Sequence, residues 1–157
     1  GSADLTDSTS VRLDFDGATG RLVIWGARGT RSSAIFDLDG DGDLDIVTND
    51  FNSAPMVLVS DLSQRKPLHW IAIALAGTTS NRDGLGAVVR VHAGGRILTK
   101  YHDGKSGYLS QSALPLYFGF GDTERIDRIE VDWPSGRKQV ETEQLQVNRT
   151  RKIVETR

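Results

Sequence analysis

Nine consecutive residues, Asp37-Leu38-Asp39-Gly40-Asp41-Gly42-Asp43-Leu44-Asp45, carry five carboxylates, two glycines and two leucines. Ordinary surface does not explain this charge density. Asp37, Asp39 and Asp41 fall at every second position, so one tight loop can turn three side chains toward a point. Gly40 and Gly42 permit the left-handed backbone that such a loop needs. Bare, these acids would repel one another. A hard divalent cation with oxygen ligands removes the repulsion, and Ca2+, which takes about six to eight oxygens in flexible geometry, suits the stretch better than Mg2+. The expected ligands are the carboxylates of Asp37, Asp39, Asp41 and Asp45, joined by the backbone carbonyl of Asp43. The alternative is a solvated acidic turn without metal.

The loop is not an EF-hand. With Asp37 as the first position, the twelfth, where an EF-hand needs a bidentate Glu, is Thr48. The segment leaving the loop is also strand-like: Leu44-Asp45-Ile46-Val47-Thr48 is β-branched and alternating. Asp45 therefore closes the site from the start of a strand. A strand-loop-strand of this Asp-x-Asp-Gly-Asp-Gly-x-x-Asp form resembles the FG-GAP/VCBS repeats of integrin-like propellers, a resemblance that implies calcium binding.

A length of 157 residues admits one domain, or one domain with a small appendage, and a proper core. The net charge is −2, from 19 basic and 21 acidic residues, so neither a nucleic-acid partner nor an anionic membrane surface is expected. Cysteine is absent, which removes disulfides and thiol chemistry. Calcium loops of this kind fill where calcium is millimolar, so an extracellular, cell-surface or periplasmic location is expected. The longest apolar run, Trp70 to Ala76, has the length of a strand, too short to span a membrane. Gly1-Ser2 reads as the remnant of a cleaved tag, residues 1–10 as a loose start, and the chain as a piece of a larger secreted or surface protein.

Taken in order, Val11 to Phe15 and Leu22 to Trp25 read as a hairpin across Gly17-Ala18-Thr19-Gly20. Asp14 and Asp16 there resemble a calcium loop made degenerate by Ala18. Arg28 to Arg31 reads as loop, Ser33 to Phe36 and Asp45 to Thr48 as the strands around the acidic loop, Pro55 to Ser60 as another strand, and Leu62 to Pro67 as a polar connection. Leu68 to Leu75 is apolar on both faces and belongs in the middle of a sheet. Leu85 to Ala93 and Arg96 to His102 form the clearest hairpin, joined by Gly94-Gly95 in a type I′ turn. That turn sets Ala93 opposite Arg96, Val91 opposite Leu98 and Val88 opposite Tyr101. Val89, Val91 and Leu98 then face a core, and Arg90, His92, Thr99 and Tyr101 face the other way. Leu116 to Phe120, Ile126 to Trp133, Lys138 to Val140 and Lys152 to Glu155 are further strands, with Leu145 on one helical or irregular turn. About ten short strands without an amphipathic helix predict an all-β, antiparallel β-sandwich carrying one calcium-binding strand-loop-strand. Residues 11–60 form the calcium-binding segment and 61–157 the rest of one globular unit.

For catalysis the sequence offers little: no phosphate loop, no Gly-x-Ser-x-Gly elbow and no His-Glu-x-x-His. His69, His92 and His102 lack ligand spacing. Asp83 and Asp103 could serve as a glycosidase acid and base, but nothing else supports that pairing. Trp25, Trp70 and Trp133 read as core. Tyr101 and Tyr108 are the aromatics expected in solvent, and beside them Asn81, Arg82, Asp83, Arg90 and Gln111 could direct hydrogen bonds to a sugar stacked on a ring. Asn81 and Asp83 could equally bond their own turn, and the loop Gly107 to Ser112 could simply be anchored by Tyr108. Asn148-Arg149-Thr150 is a glycosylation sequon.

Four stretches together, Asn81 to Val88, Gly107 to Ser112, Phe118-Gly119-Phe120-Gly121 and Val131-Asp132-Trp133-Pro134-Ser135-Gly136, resemble the ASPIC/UnbV domain. The resemblance covers about Ala34 to Val140, with Phe120 where the family commonly has Leu. It implies a domain that follows FG-GAP repeats, secretion, calcium and a recognition or adhesion role. The resulting expectation is a non-catalytic, calcium-stabilised extracellular module, most simply carbohydrate-binding. A protein-protein adhesion module of matrix type is the alternative, and a glycoside-active enzyme the third. Because the acidic loop and residues beyond 80 are far apart in sequence, the ion is expected to support the fold without meeting the ligand.

Overall fold

A computed structural model of the chain describes residues 11–14, 21–24, 29–51, 54–105, 108–111 and 115–157. Residues 1–10, the Gly17–Gly20 turn, Asp16, Trp25, Arg28, Gly107 and Ser112 lie outside them.

Two sheets face each other across the core. One is four-stranded, in the order β11 (Lys138–Glu141), β10 (Ile126–Asp132), β7 (Val88–Ala93), β8 (Arg96–Tyr101). The other is three-stranded, in the order β12 (Arg149–Val154), β6 (His69–Ala76), β9 (Leu116–Gly121). Alternation drives the packing. Ile71 and Ile73 from β6, Phe118 and Phe120 from β9 and Ile153 from β12 meet Val89, Val91, Ile129 and Val131 from the opposite sheet, all buried. Trp133 closes one end and donates its indole N–H to the buried Gln139 Oε1 at 3.0 Å.

The β7–β8 hairpin has the register its turn dictates: Ala93 pairs with Arg96, Val91 with Leu98 and Val88 with Tyr101. Gly94 and Gly95 hold φ of +56° and +73°, both in the region where a Cβ is unfavourable. The sandwich is all-β and mostly antiparallel, as expected, with one parallel pair, β12 beside β6. Side-chain alternation fixes which face a strand buries but not its direction. Asn148 sets the entry to this pair, its N–H donating to the Trp70 carbonyl at 2.6 Å and its Oδ1 accepting the Trp70 N–H at 3.1 Å.

The acidic segment forms an antiparallel sheet of β3 (Thr30–Phe36), β4 (Asp45–Asp50) and β5 (Val57–Leu58). β3 takes in Thr30 and Arg31, expected as loop, while β5 keeps only two residues of the strand expected from Pro55 to Ser60. Leu62–Arg65 makes one helical turn, α1, in the polar connection. β1 (Val11–Asp14) and β2 (Arg21–Ile24) pair as an antiparallel hairpin. No helix among the described residues is long and apolar enough to cross a membrane.

Candidate functional site

The acidic loop joins β3 to β4, and its two glycines take φ of +80° (Gly40) and +95° (Gly42). That backbone folds the carboxylates inward: oxygens of Asp37, Asp39 and Asp45 all lie within 4.8 Å of one another. Backbone amides fix them. Asp37 accepts the Gly40 N–H at 2.7 Å and the Gly42 N–H at 3.1 Å, and Asp45, which is buried, accepts the N–H groups of Leu38 and Ser60, both at 2.8 Å. Burial and the charges of Asp41, Asp45 and Asp37 hold the Asp39 carboxyl above its ordinary value, against one opposing hydrogen bond from the Asp41 N–H. Three crowded hard oxygen donors, one of them reluctant to ionise, fit a divalent cation with oxygen preference. Asp37, Asp39 and Asp45 are the residues that would hold it.

The other two loop acids face elsewhere. Asp41 accepts the Ser63 hydroxyl and the Asp43 N–H. Asp43 is buried and accepts the Ser63 N–H at 2.8 Å, a bond that holds its carboxyl below the ordinary value. Both thus tie the loop to α1.

The loop rests on the outer face of β6 and β9. A Cβ built on Gly42 would come within 2.4 Å of the Trp70 indole nitrogen. Trp70 is half-buried here and lies outside the main core, its ring 5.8 Å from that of Tyr117 at a tilt of 35°. Tyr117 in turn neighbours Asp37. Burial chiefly, and then the Asp37 charge, push its phenol up. This contact covers the outer face of β6 at Trp70: Ile71 and Ile73 face the core, while Trp70 and Ala72 face the other way, and Ala72 too is fully buried.

Between the free edges of β8 and β9 runs a groove with the acidic loop as one wall. One part, about 440 Å³, is lined by Gly42, Leu44, Trp70, Lys100 and Tyr117, among others. The adjoining part, about 300 Å³, shares Leu44, Thr99, Lys100 and Tyr117 and adds Tyr101, Asp103 and Lys105. A third depression of about 420 Å³ continues from Lys105 to Tyr108 and Gln111. Tyr101 and Tyr108 are 72% and 81% exposed, enough to offer a whole ring face.

The other residues singled out in the sequence lie elsewhere. Asn81 uses both amide atoms on its own turn, with Nδ2 donating to the Leu85 carbonyl and Oδ1 accepting the Leu85 N–H. Arg82 pairs with Asp83 at 3.1 Å. Arg90 pairs with Asp132 at 2.7 Å on the outer face of the four-stranded sheet, where His92 and Arg128 also meet Glu130. His102, on the opposite face from His92, places Nε2 3.0 Å from the Asp83 carbonyl oxygen. Trp70, Tyr117, Leu44 and Lys100 were not anticipated as site residues. The parity of β9 carried part of the signal, since Tyr117 alternates with core-facing Leu116 and Phe118.

A two-sheet β-sandwich with an acidic strand-loop-strand docked on one face defines an all-β module with a candidate cation loop. Residues 77–157 match the family model described as ASPIC and UnbV, and the chain belongs to that family. Domains of this family are typically found in extracellular or secreted proteins. No curated protein sequence matches the chain.

Proposed function

We propose that this chain is a calcium-stabilised, non-catalytic recognition module that works outside the cytoplasm and binds carbohydrate in the groove between β8 and β9. The observation that carries this reading is the groove itself, with exposed Tyr101 at its rim, Trp70 and Tyr117 in its wall, and side-chain hydrogen-bonding groups between them. Sugars are held in such grooves by ring stacking and directed hydrogen bonds. Calcium, bound by Asp37, Asp39 and Asp45, would neutralise the loop that forms one wall. The reading departs from the expectation that ion and ligand are remote, since Gly42 and Leu44 line the groove. Asp83 and Asp103, the conceivable acid and base, are engaged locally, Asp83 with Arg82 and Asp103 with the Lys105 N–H.

The protein-adhesion alternative draws on exposed apolar side chains, of which Ile35 also lines the groove. In the β3–β5 sheet Ile35, Val57 and Leu58 are each about half exposed, at 52%, 55% and 51%. Ile35 and Leu58 share one face and Val57 lies on the other. A glycan array probed with and without calcium, alongside a thermal melt in chelator, tests the primary reading. Calcium-dependent melting with glycan binding weakened by Tyr101→Ala is the expected result. A melt indifferent to chelator and a blank array would refute it.

A further inference from the structure

We infer that the sugar this groove takes is acidic, bearing a carboxylate or sulfate that Lys100 meets; the inference rests on the carbohydrate reading of the groove. Lys100 stands opposite Val89, on the inward-facing side of the edge strand β8. Its ammonium lies over the Phe118 ring, 5.8 Å from the centroid, and it lines both main parts of the groove. Three arginines of the two facing sheets each have a carboxylate: Arg90 has Asp132, Arg128 has Glu130 and Arg151 has Glu141. Among the described residues Lys100 has no such carboxylate. The side chain as a whole stays exposed, but partial burial of its ammonium beside Phe118 lowers its pKa.

A ring face stabilises such a cation only in part. An anionic group entering the groove would complete it with a charge-assisted hydrogen bond, while Tyr101 beside it stacks on the sugar ring. Lys105 lines the groove beyond Tyr101 and adds a second positive charge along the same path. The one carboxylate of this stretch, Asp103, accepts the Lys105 N–H at 3.0 Å. Carboxylate and sulfate share the chemistry that Lys100 recognises, so the source of the anion is a question for the titration.

The test is calorimetric titration of the calcium-loaded protein with an oligogalacturonate, a heparin oligosaccharide and a neutral galacto-oligosaccharide of equal length. Wild type, Lys100→Gln and Lys100→Arg are compared, each first checked for an unchanged melting temperature. One or both acidic sugars should bind more tightly than the neutral one. Lys100→Gln should weaken them by roughly tenfold or more, the scale of one hydrogen bond to a charged group. Lys100→Arg should retain most of the affinity. Preference for oligogalacturonate identifies a carboxylate, and preference for heparin a sulfate. Equal binding of acidic and neutral sugars with a silent Lys100→Gln overturns the inference and leaves the carbohydrate reading intact. Failure of all three sugars to bind folded protein overturns both.

Discussion

Gly40 and Gly42 allow the docking of the acidic loop to be separated from its backbone strain. Both hold a left-handed φ, so alanine at either should cost about 1–2 kcal/mol for the Cβ alone. They differ in what the new methyl meets. At Gly40 nothing lies within 4 Å, whereas at Gly42 the Trp70 indole would sit 2.4 Å away at Nε1 and 3.2 Å away at Cδ1. The indole cannot yield freely, because it packs against Tyr117. Forcing a methyl into such a contact costs roughly a further 1–3 kcal/mol. At about 2–4 °C per kcal/mol for a chain of this size, Gly42→Ala should melt roughly 2–12 °C below Gly40→Ala. Thermal melts followed by circular dichroism measure the difference. Tryptophan emission of Gly42→Ala should also shift to the red as Trp70 gains water. In a Trp70→Leu background the extra penalty of Gly42→Ala should vanish, making the pair strongly non-additive. Equal melting of the two glycine variants, or additivity with Trp70→Leu, would refute docking of the loop on β6.

The loop acids should separate in the same way. Asp39→Ala should lower the melting temperature only in calcium, where at a hundredfold excess over the dissociation constant linkage supplies about 2.7 kcal/mol. Asp45→Ala should also lower it in chelator, because buried Asp45 accepts the N–H groups of Leu38 and Ser60; melts in both buffers check this. Asn81→Ala should cost about 1–2 kcal/mol in urea titration, for two lost turn hydrogen bonds, and leave glycan affinity unchanged. At Glu155 burial opposes the charge, but bonds from the Ser135 hydroxyl and the N–H groups of Ser80, Thr78 and Thr79 outweigh it and hold the carboxyl down to about 2 from 4.5. A depressed carboxyl stabilises above its unfolded pKa and loses that contribution as pH falls from about 4.5 to about 2. The melting advantage of wild type over Glu155→Gln should therefore shrink across that window, and a constant difference would count against the Glu155 cluster.

Much of the fold was legible because it rests on local rules. Alternation in β7, β8 and β10 and the Gly94-Gly95 turn fixed both faces and register before any tertiary contact was known. The parallel return of β12 beside β6 was not legible, since direction depends on where the chain re-enters the sheet. At the site, the carboxylate spacing pointed to the loop, but the split between Asp37, Asp39 and Asp45 on one side and Asp41 and Asp43 on the other is set by Ser63, about twenty residues onward. No local pattern contains that partner. The turn chemistry of Asn81 was visible as one of two readings, and its side chain takes the structural one.

The double-sided apolarity of β6 proves the most informative signal in the chain. A strand buried on both faces needs two covers, and the facing sheet of the sandwich supplies only one. At Trp70 the second is the acidic loop. Because that loop also forms a wall of the groove through Gly42 and Leu44, whatever orders the loop also shapes the groove. A cation held by Asp37, Asp39 and Asp45 would then act on ligand affinity without touching the ligand, through Asp37 and its neighbour Tyr117. Coupling of this kind has a definite signature. Chelation should weaken glycan binding at temperatures well below the melt, and Tyr117→Phe, which keeps the ring and removes only the hydroxyl beside Asp37, should reduce that calcium effect while preserving the stack on Trp70. If chelator leaves the affinity of folded protein unchanged, the loop is a passive cover for β6, and the groove is shaped by β8 and β9 alone.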